Sequence, residues 1–204
     1  MPTTTFFNLP PPKREKLFQA AIAEFARRPY GEVSINRIIQ AAEIPRGSFY
    51  QYFSDKTDLF RYVLRHYGEW ISVMVTESLD ACGGQLLELP LTIFDRMLEK
   101  YRANEASFHD LFGIARQNIG MDASRFLDFQ AARHTLLERV DPSGLADLSP
   151  EGVESLFKLL ILLTAHALMS ACCGKDSVEE IRGQLARAVE IIRRGAINKE
   201  EPLC

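Results

Sequence analysis

The 204-residue sequence predicts an all-α protein. Apolar residues recur at spacings of three and four, which places them on one face of a helix, whereas sustained alternation of apolar and polar residues is not found. Proline, glycine and small polar residues stand where such helices would begin and end. With 47% hydrophobic and 25% charged residues, the chain has the composition of a folded protein with a sizeable core.

Composition also bears on where the protein works. The four cysteines are few and unevenly spaced, which indicates no disulfide framework and fits a reducing compartment. Residues 1–11 lack the basic leader and apolar stretch of a secretion signal, so we expect a flexible arm on a cytoplasmic protein. The apolar segment Leu156–Cys173 is shorter than the roughly 20 residues that a bilayer requires. We therefore expect it to be a buried helix, with no membrane involved.

Three short helices are predicted in the first quarter of the chain. The first runs from about Pro12 to Arg28, where Pro29 stops it. Ser34 is the expected N-cap of the second helix, because its hydroxyl can accept an amide hydrogen of the first turn. Pro45 marks the next break, and the third helix is expected from Arg46 to Phe53.

The third helix lies in the stretch IPRGSFYQYFSDKTDL, which has four aromatic residues within five positions. Phe49 and Phe53 are four residues apart and are expected to lie in the core. Tyr50 and Tyr52 are expected on the flanks, where each buries its ring and leaves its hydroxyl at the surface.

Longer helices are predicted after this stretch. Ser54 or Asp55 caps a helix that Gly83 and Gly84 end. The later helices are expected at Pro90 to about Asn104, Ala106 to about Ile119, Ala123 to about Val140, and Pro150 to Cys173 after a turn-rich linker at 141–152, where Ser149 is the start signal. The last helix is expected to begin near Asp176 or Ser177, since each has a glutamate three residues later in capping-box spacing.

The first three helices have the layout of a helix-turn-helix, since a tight turn at residues 43–45 precedes an eight-residue helix. The first 60 residues hold eight Lys and Arg against six Asp and Glu, whereas the rest of the chain is net acidic, so this part can approach an anion. Arg46 can reach a guanine edge or a phosphate, and Gly47 and Ser48 permit close approach to a duplex. Tyrosine hydroxyls and the Lys56 ammonium suit phosphate contacts.

Residues 30–59, YGEVSINRIIQAAEIPRGSFYQYFSDKTDL, resemble the DNA-binding signature of the TetR family of bacterial transcriptional regulators. The resemblance implies a helix-turn-helix domain at 12–56 and a helical ligand-binding and dimerisation domain at 57–204. It implies operator DNA as a partner and a homodimer formed through the last two helices, at about 150–173 and 177–198. A small effector would release the protein from a pseudo-palindromic operator and so end repression, while activation of transcription or corepression by the ligand stays open as an alternative.

The same resemblance implies the residues that contact DNA. Phosphate contact or helix positioning falls to Ser34, Ser48, Tyr50, Tyr52 and Lys56, and base reading to Asn36 and Arg46, with Arg37 beside them as a further candidate.

A ligand pocket is expected among the later helices, because such sites are largely apolar with a few polar groups. The candidates are Trp70, Phe94, Met97, Tyr101, Phe108, Phe112, Gln117, Phe126, Phe129, Arg133, His134 and His166, with His109 and Asn118 as further polar positions. Their aromatic character favours a hydrophobic effector.

Two other interpretations stay open. The adjacent Cys172 and Cys173 would suit a thiol- or metal-responsive regulator, and a helical ligand-binding or adaptor protein would need no DNA. An enzyme is not expected, because the sequence has no E-x-x-H pair, H-E-x-x-H, Walker loop or G-x-S-x-G. No cofactor and no metal site are expected either.

Overall fold

A computed structural model of the chain describes residues 2–118, 138–141, 145, 149–174 and 177–196. The regular elements are helices, which confirms the all-α prediction. They are α1 (Thr4–Phe7), α2 (Pro11–Arg27), α3 (Ile35–Ala41), α4 (Arg46–Tyr52), α5 (Lys56–Ala81), α6 (Leu89–Arg102), α7 (Ala106–Gln117), α8 (Pro150–Cys173) and α9 (Val178–Ala196), with a 3₁₀ turn at Tyr30–Glu32.

The chain forms two compact units, and α5 contributes residues to both. The first unit contains the chain up to Trp70 together with α7, and in it α2 contacts α3 and α7 while α4 contacts α1 and α3. The second unit contains the rest of α5 from Ile71, together with α6, α8 and α9, which contact one another. The division of domains at residue 56 stays a prediction.

Close helix packing in the first unit depends on one glycine. A Cβ atom on Gly113 of α7 would lie 2.9 Å from the Cβ atom of Ala26 on α2. Small residues at this crossing allow the two helices to approach, since real Cβ atoms essentially never come so near to another heavy atom. Helix α2 is thereby held by α7 on one side while it supports α3 on another.

The helix starts follow the sequence signals closely. Ser149 accepts a hydrogen bond at 3.0 Å from the amide of Gly152, and Pro150 follows it as the first residue of α8. Ser177 and Glu180 exchange two hydrogen bonds, of 3.1 and 3.2 Å, and so form the predicted capping box. The carboxylate of Asp55 accepts from the amide of Asp58 at 2.7 Å and starts α5.

Three expectations were wrong. Residues 4–7 are helical rather than part of a flexible arm, and Phe6 is fully buried. Ser34 occupies the N-cap of α3 but makes no side-chain capping bond. The segment Pro150–Cys172 is long and apolar enough to cross a membrane, yet only 28% of its most apolar window is buried within the chain. Helix α8 therefore buries one face and leaves another exposed.

The predicted helix at 123–140 lies mostly outside the described residues.

The second unit is tied together by ion pairs between α9 and α6. Arg182 donates two hydrogen bonds of 2.8 Å to the carboxylate of Asp95, a bidentate geometry that fixes the register of the two helices. Arg193 lies 2.6 Å from a carboxylate oxygen of Glu88, just before α6. Both pairs are largely exposed, so they contribute orientation more than stability.

Candidate nucleic-acid interface

The turn between α3 and α4 is a Schellman motif. The amide of Ile44 donates to the carbonyl of Ile39 at 3.0 Å, and the amide of Glu43 donates to that of Gln40 at 3.2 Å. Glu43 adopts the left-handed region with φ of 54°, a conformation that a residue with a side chain rarely takes. Its carboxylate lies 2.6 Å from the ammonium of Lys16 on α2, and this partner lowers the pKa of Glu43. The turn is thus locked by backbone hydrogen bonds and tied to α2.

Helix α4 has one buried face and one exposed face. Phe49 is fully buried, as is Phe53 just after the helix. Arg46, Gly47, Tyr50 and Gln51 form the exposed face, and Tyr50 is 56% exposed. The apolar side chains anchor the helix, so its short exposed residues and one arginine are presented on a rigid support. Ser48 is half-buried at the edge of this face.

Tyr52 does not share the position of Tyr50. It is 8% exposed, and its ring centroid lies 6.4 Å from that of Phe6. The prediction that each tyrosine buries its ring is wrong for Tyr50, which is mostly exposed, and holds for Tyr52, because α1 covers the end of α4 where Tyr52 lies. A phosphate contact by Tyr52 stays a prediction.

Glu24 of α2 organises the start of α3. One of its carboxylate oxygens accepts from the backbone amide of Ser34 at 3.2 Å and from Nε of Arg37 at 2.6 Å. Arg37 also donates to the carbonyl of Glu32 at 2.7 Å. The guanidinium of Arg37 is therefore engaged by its own domain, whereas Asn36 is exposed beside it.

Lys56 is engaged within the protein as well. Its ammonium donates to the carbonyl oxygens of Tyr30 at 2.7 Å and Val33 at 3.2 Å, with that of Gly31 at 3.5 Å. The same nitrogen lies 4.6 Å from the centre of the Tyr30 ring, within reach of a cation–π interaction. An ammonium has three donors, and all three are directed at the turn that precedes α3. In this structure Lys56 clamps that turn.

Tyr30, the main partner of Lys56, was not among the residues predicted from the sequence. Its hydroxyl lies 2.7 Å from that of Thr57, and its amide donates at 3.0 Å to the side chain of Asn118 at the end of α7. Its ring lies against those of Phe25 and Phe60. Only the position of Tyr30 between a helix-stopping proline and a glycine signalled a fixed turn in the sequence.

The predicted pocket residues are divided between the two units. Trp70, Phe108, Phe112 and Gln117 belong to the first unit, where Trp70 and Phe108 contact each other edge to face with centroids 4.6 Å apart. Buried Phe94 and Met97, half-buried Tyr101 and exposed His166 belong to the second. Phe126, Phe129, Arg133 and His134 lie outside the described residues.

Asp110 of α7 is a partly buried carboxylate with a shifted pKa. Burial raises the pKa of Asp110 above its ordinary value, although neighbouring His109 acts in the opposite direction. Burial, together with the charge of Asp110, raises the pKa of Tyr67. Asp110 is therefore a group whose ionisation works against folding.

Helices α8 and α9 expose apolar side chains. Leu159 and Leu162 on α8 are 46% and 53% exposed, and Ile191 on α9 is 72% exposed. His166 lies four residues after Leu162, on the same side of α8, and is also exposed. Leu159 and Leu162 are three residues apart and therefore share one face of α8, and exposed apolar side chains grouped in this way are typical of an interface.

The cysteines described by the structure do not form a metal site. Cys172 is half-buried near the end of α8. Among the residues that the structure describes, no group of three or more His, Cys, Asp or Glu side chains is placed to hold a metal ion.

Comparison with known proteins bears on the first unit above all. The family model described as "Bacterial regulatory proteins, tetR family" matches residues 17–63, which include α3, the turn and α4. The transcriptional regulator AcuR of Cereibacter sphaeroides is 28% identical over 126 residues, or 61% of this chain and 55% of that protein. The probable acrEF/envCD operon repressor of Escherichia coli K12 is 40% identical over 47 residues, or 23% of this chain and 21% of that protein. The chain thus spans about half of the first relative and a fifth of the second.

A solved structure extends the likeness to the whole fold. The crystal structure of a TetR family transcriptional regulator from Chloroflexus aurantiacus covers 98% of this chain and 100% of its own, with 24% identity and a TM-score of 0.50. At that identity the likeness concerns the arrangement of helices and not the ligand or the operator.

Proposed function

We propose that this chain, which belongs to the TetR family of bacterial regulatory proteins, represses transcription as a cytoplasmic homodimer that binds a pseudo-palindromic operator and is released by a small effector. The observation that carries the proposal is the exposed face of α4. Arg46, Gly47 and Tyr50 stand on a short helix whose opposite side is fixed in an aromatic core. Such a helix fits the major groove of a duplex.

The structure favours some DNA contacts over others. Asn36, Arg46, Gly47 and Tyr50 are exposed and are the residues that we assign to direct contact with operator DNA. Arg37 and Lys56 are held by intramolecular hydrogen bonds, so we assign them to positioning the start of α3. The direct contacts decide which bases are bound, while the positioning residues decide whether α3 and α4 are presented correctly.

A homodimer is supported by the exposed apolar side chains of α8 and α9. Covering side chains such as Leu159, Leu162 and Ile191 removes apolar surface from water, which contributes about 25 cal/mol for each Å² buried. A second copy of the chain, related by a two-fold axis, would cover these side chains in one protomer with the same side chains of the other. The dimer sets two α4 helices about one turn of DNA apart, roughly 34 Å.

The effector is proposed to act through α5. This helix begins beside the DNA-binding helices at Lys56 and continues to Ala81 in the second unit, so it is a covalent connection between the two parts. A ligand bound among the later helices that prefers one position of α5 would change the separation of the two α4 helices. Coupling of this kind is typically about 1–3 kcal/mol. The aromatic residues of the later helices favour a hydrophobic effector.

Selection of bound duplexes from a random DNA library tests the DNA-binding part of the proposal. The wild-type chain is expected to enrich a palindromic site, and Arg46→Ala and Tyr50→Ala are each expected to bind that site more weakly by about tenfold or more. Both side chains are exposed, so the variants should fold. Arg27→Ala, which removes an exposed arginine at the end of α2, is the control and should bind as the wild type does. Enrichment of no site by the wild type would contradict the proposal.

The mass of the chain in solution tests the dimer. Leu162→Arg places a charge at the centre of the proposed interface, so we expect a monomer where the wild type is a dimer. Val73 on α5 is exposed to a similar extent, at 58%, and Val73→Arg is the matched control. A dimer that persists in Leu162→Arg would place the interface elsewhere.

A further inference from the structure

The N-terminal segment closes the C-terminal end of α4. The carbonyl groups at the C-terminal end of a helix have no partners within the helix. In α4 the amide of Phe53 donates to the carbonyl of Phe49, so the carbonyls of Tyr50, Gln51 and Tyr52 are the ones that need partners from elsewhere. The backbone amide of Thr3 donates to the carbonyl of Tyr52 at 2.9 Å. The hydroxyl of Thr3 donates to the carbonyl of Gln51 at 2.5 Å. Thr3, which is 48 positions from Gln51 in the sequence, thus satisfies two of these carbonyls.

The hydroxyl of Thr3 has a second partner. It accepts a hydrogen bond at 3.4 Å from the amide of Phe6, which makes Thr3 the N-cap of α1. A hydroxyl has one donor and two acceptor positions, so both bonds can be made at once. Thr3 therefore joins the start of α1 to the end of α4, and its removal would affect both helices.

Phe6 fixes this segment in place. It is fully buried, and its ring lies 4.8 Å from that of Phe53 and 5.1 Å from that of Tyr62 on α5. The ring therefore stands between the end of α4 and the start of α5. Neighbouring Phe7 is 51% exposed, so α1 is anchored through one aromatic side chain.

We propose that Thr3 is a positioning residue for DNA binding: it holds the C-terminal end of α4, with Phe6 as its anchor, and thereby sets the affinity for the operator. The inference rests on the proposed function in that α4 is taken to bind DNA. A helix of two turns frays readily when its ends are open, and a frayed end presents the exposed face less often in the geometry that a groove accepts. Because Thr3 holds α4 by hydrogen bonds to backbone carbonyls, its contribution does not depend on which bases the operator contains.

Binding to the selected duplex is measured for Thr3→Val, Thr3→Ser and Thr5→Val in the full chain, at a temperature where circular dichroism shows every variant folded. Thr3→Val loses both bonds of the hydroxyl, and loss of the one to Gln51 should weaken binding about 3- to 10-fold, the effect of one hydrogen bond at the end of α4. Thr3→Ser restores the hydroxyl and should bind within about twofold of the wild type. Thr5 is an exposed threonine of the same helix, and Thr5→Val should leave the affinity unchanged.

Hydrogen exchange without DNA separates this proposal from the proposed function. Amides of residues 49–53 should exchange faster in Thr3→Val than in the wild type or Thr5→Val, while those of α8 should be unchanged. Wild-type exchange in Thr3→Val, or a Thr3→Ser chain as weak in binding as Thr3→Val, would overturn the positioning role. If the wild type binds no duplex at all, the proposed function fails, and the exchange rates still decide whether Thr3 holds α4.

Discussion

Replacement of Lys56 by methionine separates two roles for this lysine. Methionine keeps most of the unbranched stem and removes the ammonium. A residue whose main role is to bind phosphate would leave the free protein unchanged when it is replaced. If Lys56 instead clamps the turn Tyr30–Glu32, its replacement should destabilise the free protein, because the carbonyls of Tyr30 and Val33 lose their donor.

The size of the effect follows from the contacts. Hydrogen bonds from a charged donor contribute about 1.5–3 kcal/mol each when buried, but Lys56 is half-exposed, so about 1 kcal/mol is appropriate for each of its two shorter bonds. The interaction with the ring of Tyr30 adds about 0.5–1 kcal/mol. Loss of the ammonium should therefore cost about 2–3 kcal/mol, which for a chain of this length lowers the Tm by about 4–12 °C.

Thermal unfolding and salt-dependent DNA binding together provide the assay. Lys13 is an exposed lysine of α2, and Lys13→Met is the matched control, with no change in Tm expected. Each phosphate contact that is lost lowers the slope of log K against log salt by about one. We expect Lys56→Met to lower the Tm and to leave that slope unchanged. An unaltered Tm with a slope smaller by one would refute the clamp and establish Lys56 as a phosphate ligand.

Three further substitutions test other parts of the structure. Gly47→Ala should raise stability by about 0.5–1 kcal/mol, because alanine is the better helix former and a Cβ atom meets nothing within 4 Å, yet it should weaken operator binding if the duplex approaches this residue closely; unfolding and binding assays measure the two effects. Gly84→Ala should lower stability by about 3 kcal/mol in a denaturant titration, because its φ is +79° and a Cβ atom would lie 2.5 Å from the carbonyl oxygen of Arg139. Gly83→Ala is the control and should cost only about 1 kcal/mol, because its φ is +61° but a Cβ atom there would meet nothing within 4 Å. Asp110→Asn should raise the Tm at pH 7, because a carboxyl whose pKa is raised on folding destabilises the folded state once it is ionised, and the gain should disappear as the pH falls below the ordinary value of 3.8. An equal gain in Tm for Asp110→Asn at pH 7 and at a pH below 3.8 would contradict that electrostatic origin.

Local signals made much of the fold predictable. The cap at Ser149 depends on residues within three or four positions, and the structure has it. For the other two starts the sequence left two candidates each, Ser54 or Asp55 and Asp176 or Ser177, and the structure uses Asp55 and Ser177. The turn at Glu43 was also identified, although its left-handed conformation was not, because glycine rather than glutamate is the usual residue there.

Tertiary contacts explain what the sequence did not reveal. Helix α1 has four residues and no apolar period of its own, and it is held by Phe6 in the core and by Thr3 at the end of α4. The role of Lys56 depends on carbonyl oxygens 23 to 26 positions away, and a sequence says nothing about where such groups point. The apolar run of α8 has the same composition whether its second face meets its own chain or a partner.

The affinity of the wild-type chain for its selected duplex, compared with a permuted duplex of equal length and composition over a range of salt concentrations, tests the central claim most directly. If the exposed face of α4 reads an operator, log K for both duplexes falls linearly with log salt, and the selected duplex is bound about 10³-fold or more tightly than the permuted one. Equal affinity for the two duplexes at every salt concentration, or binding that does not respond to salt, would contradict it.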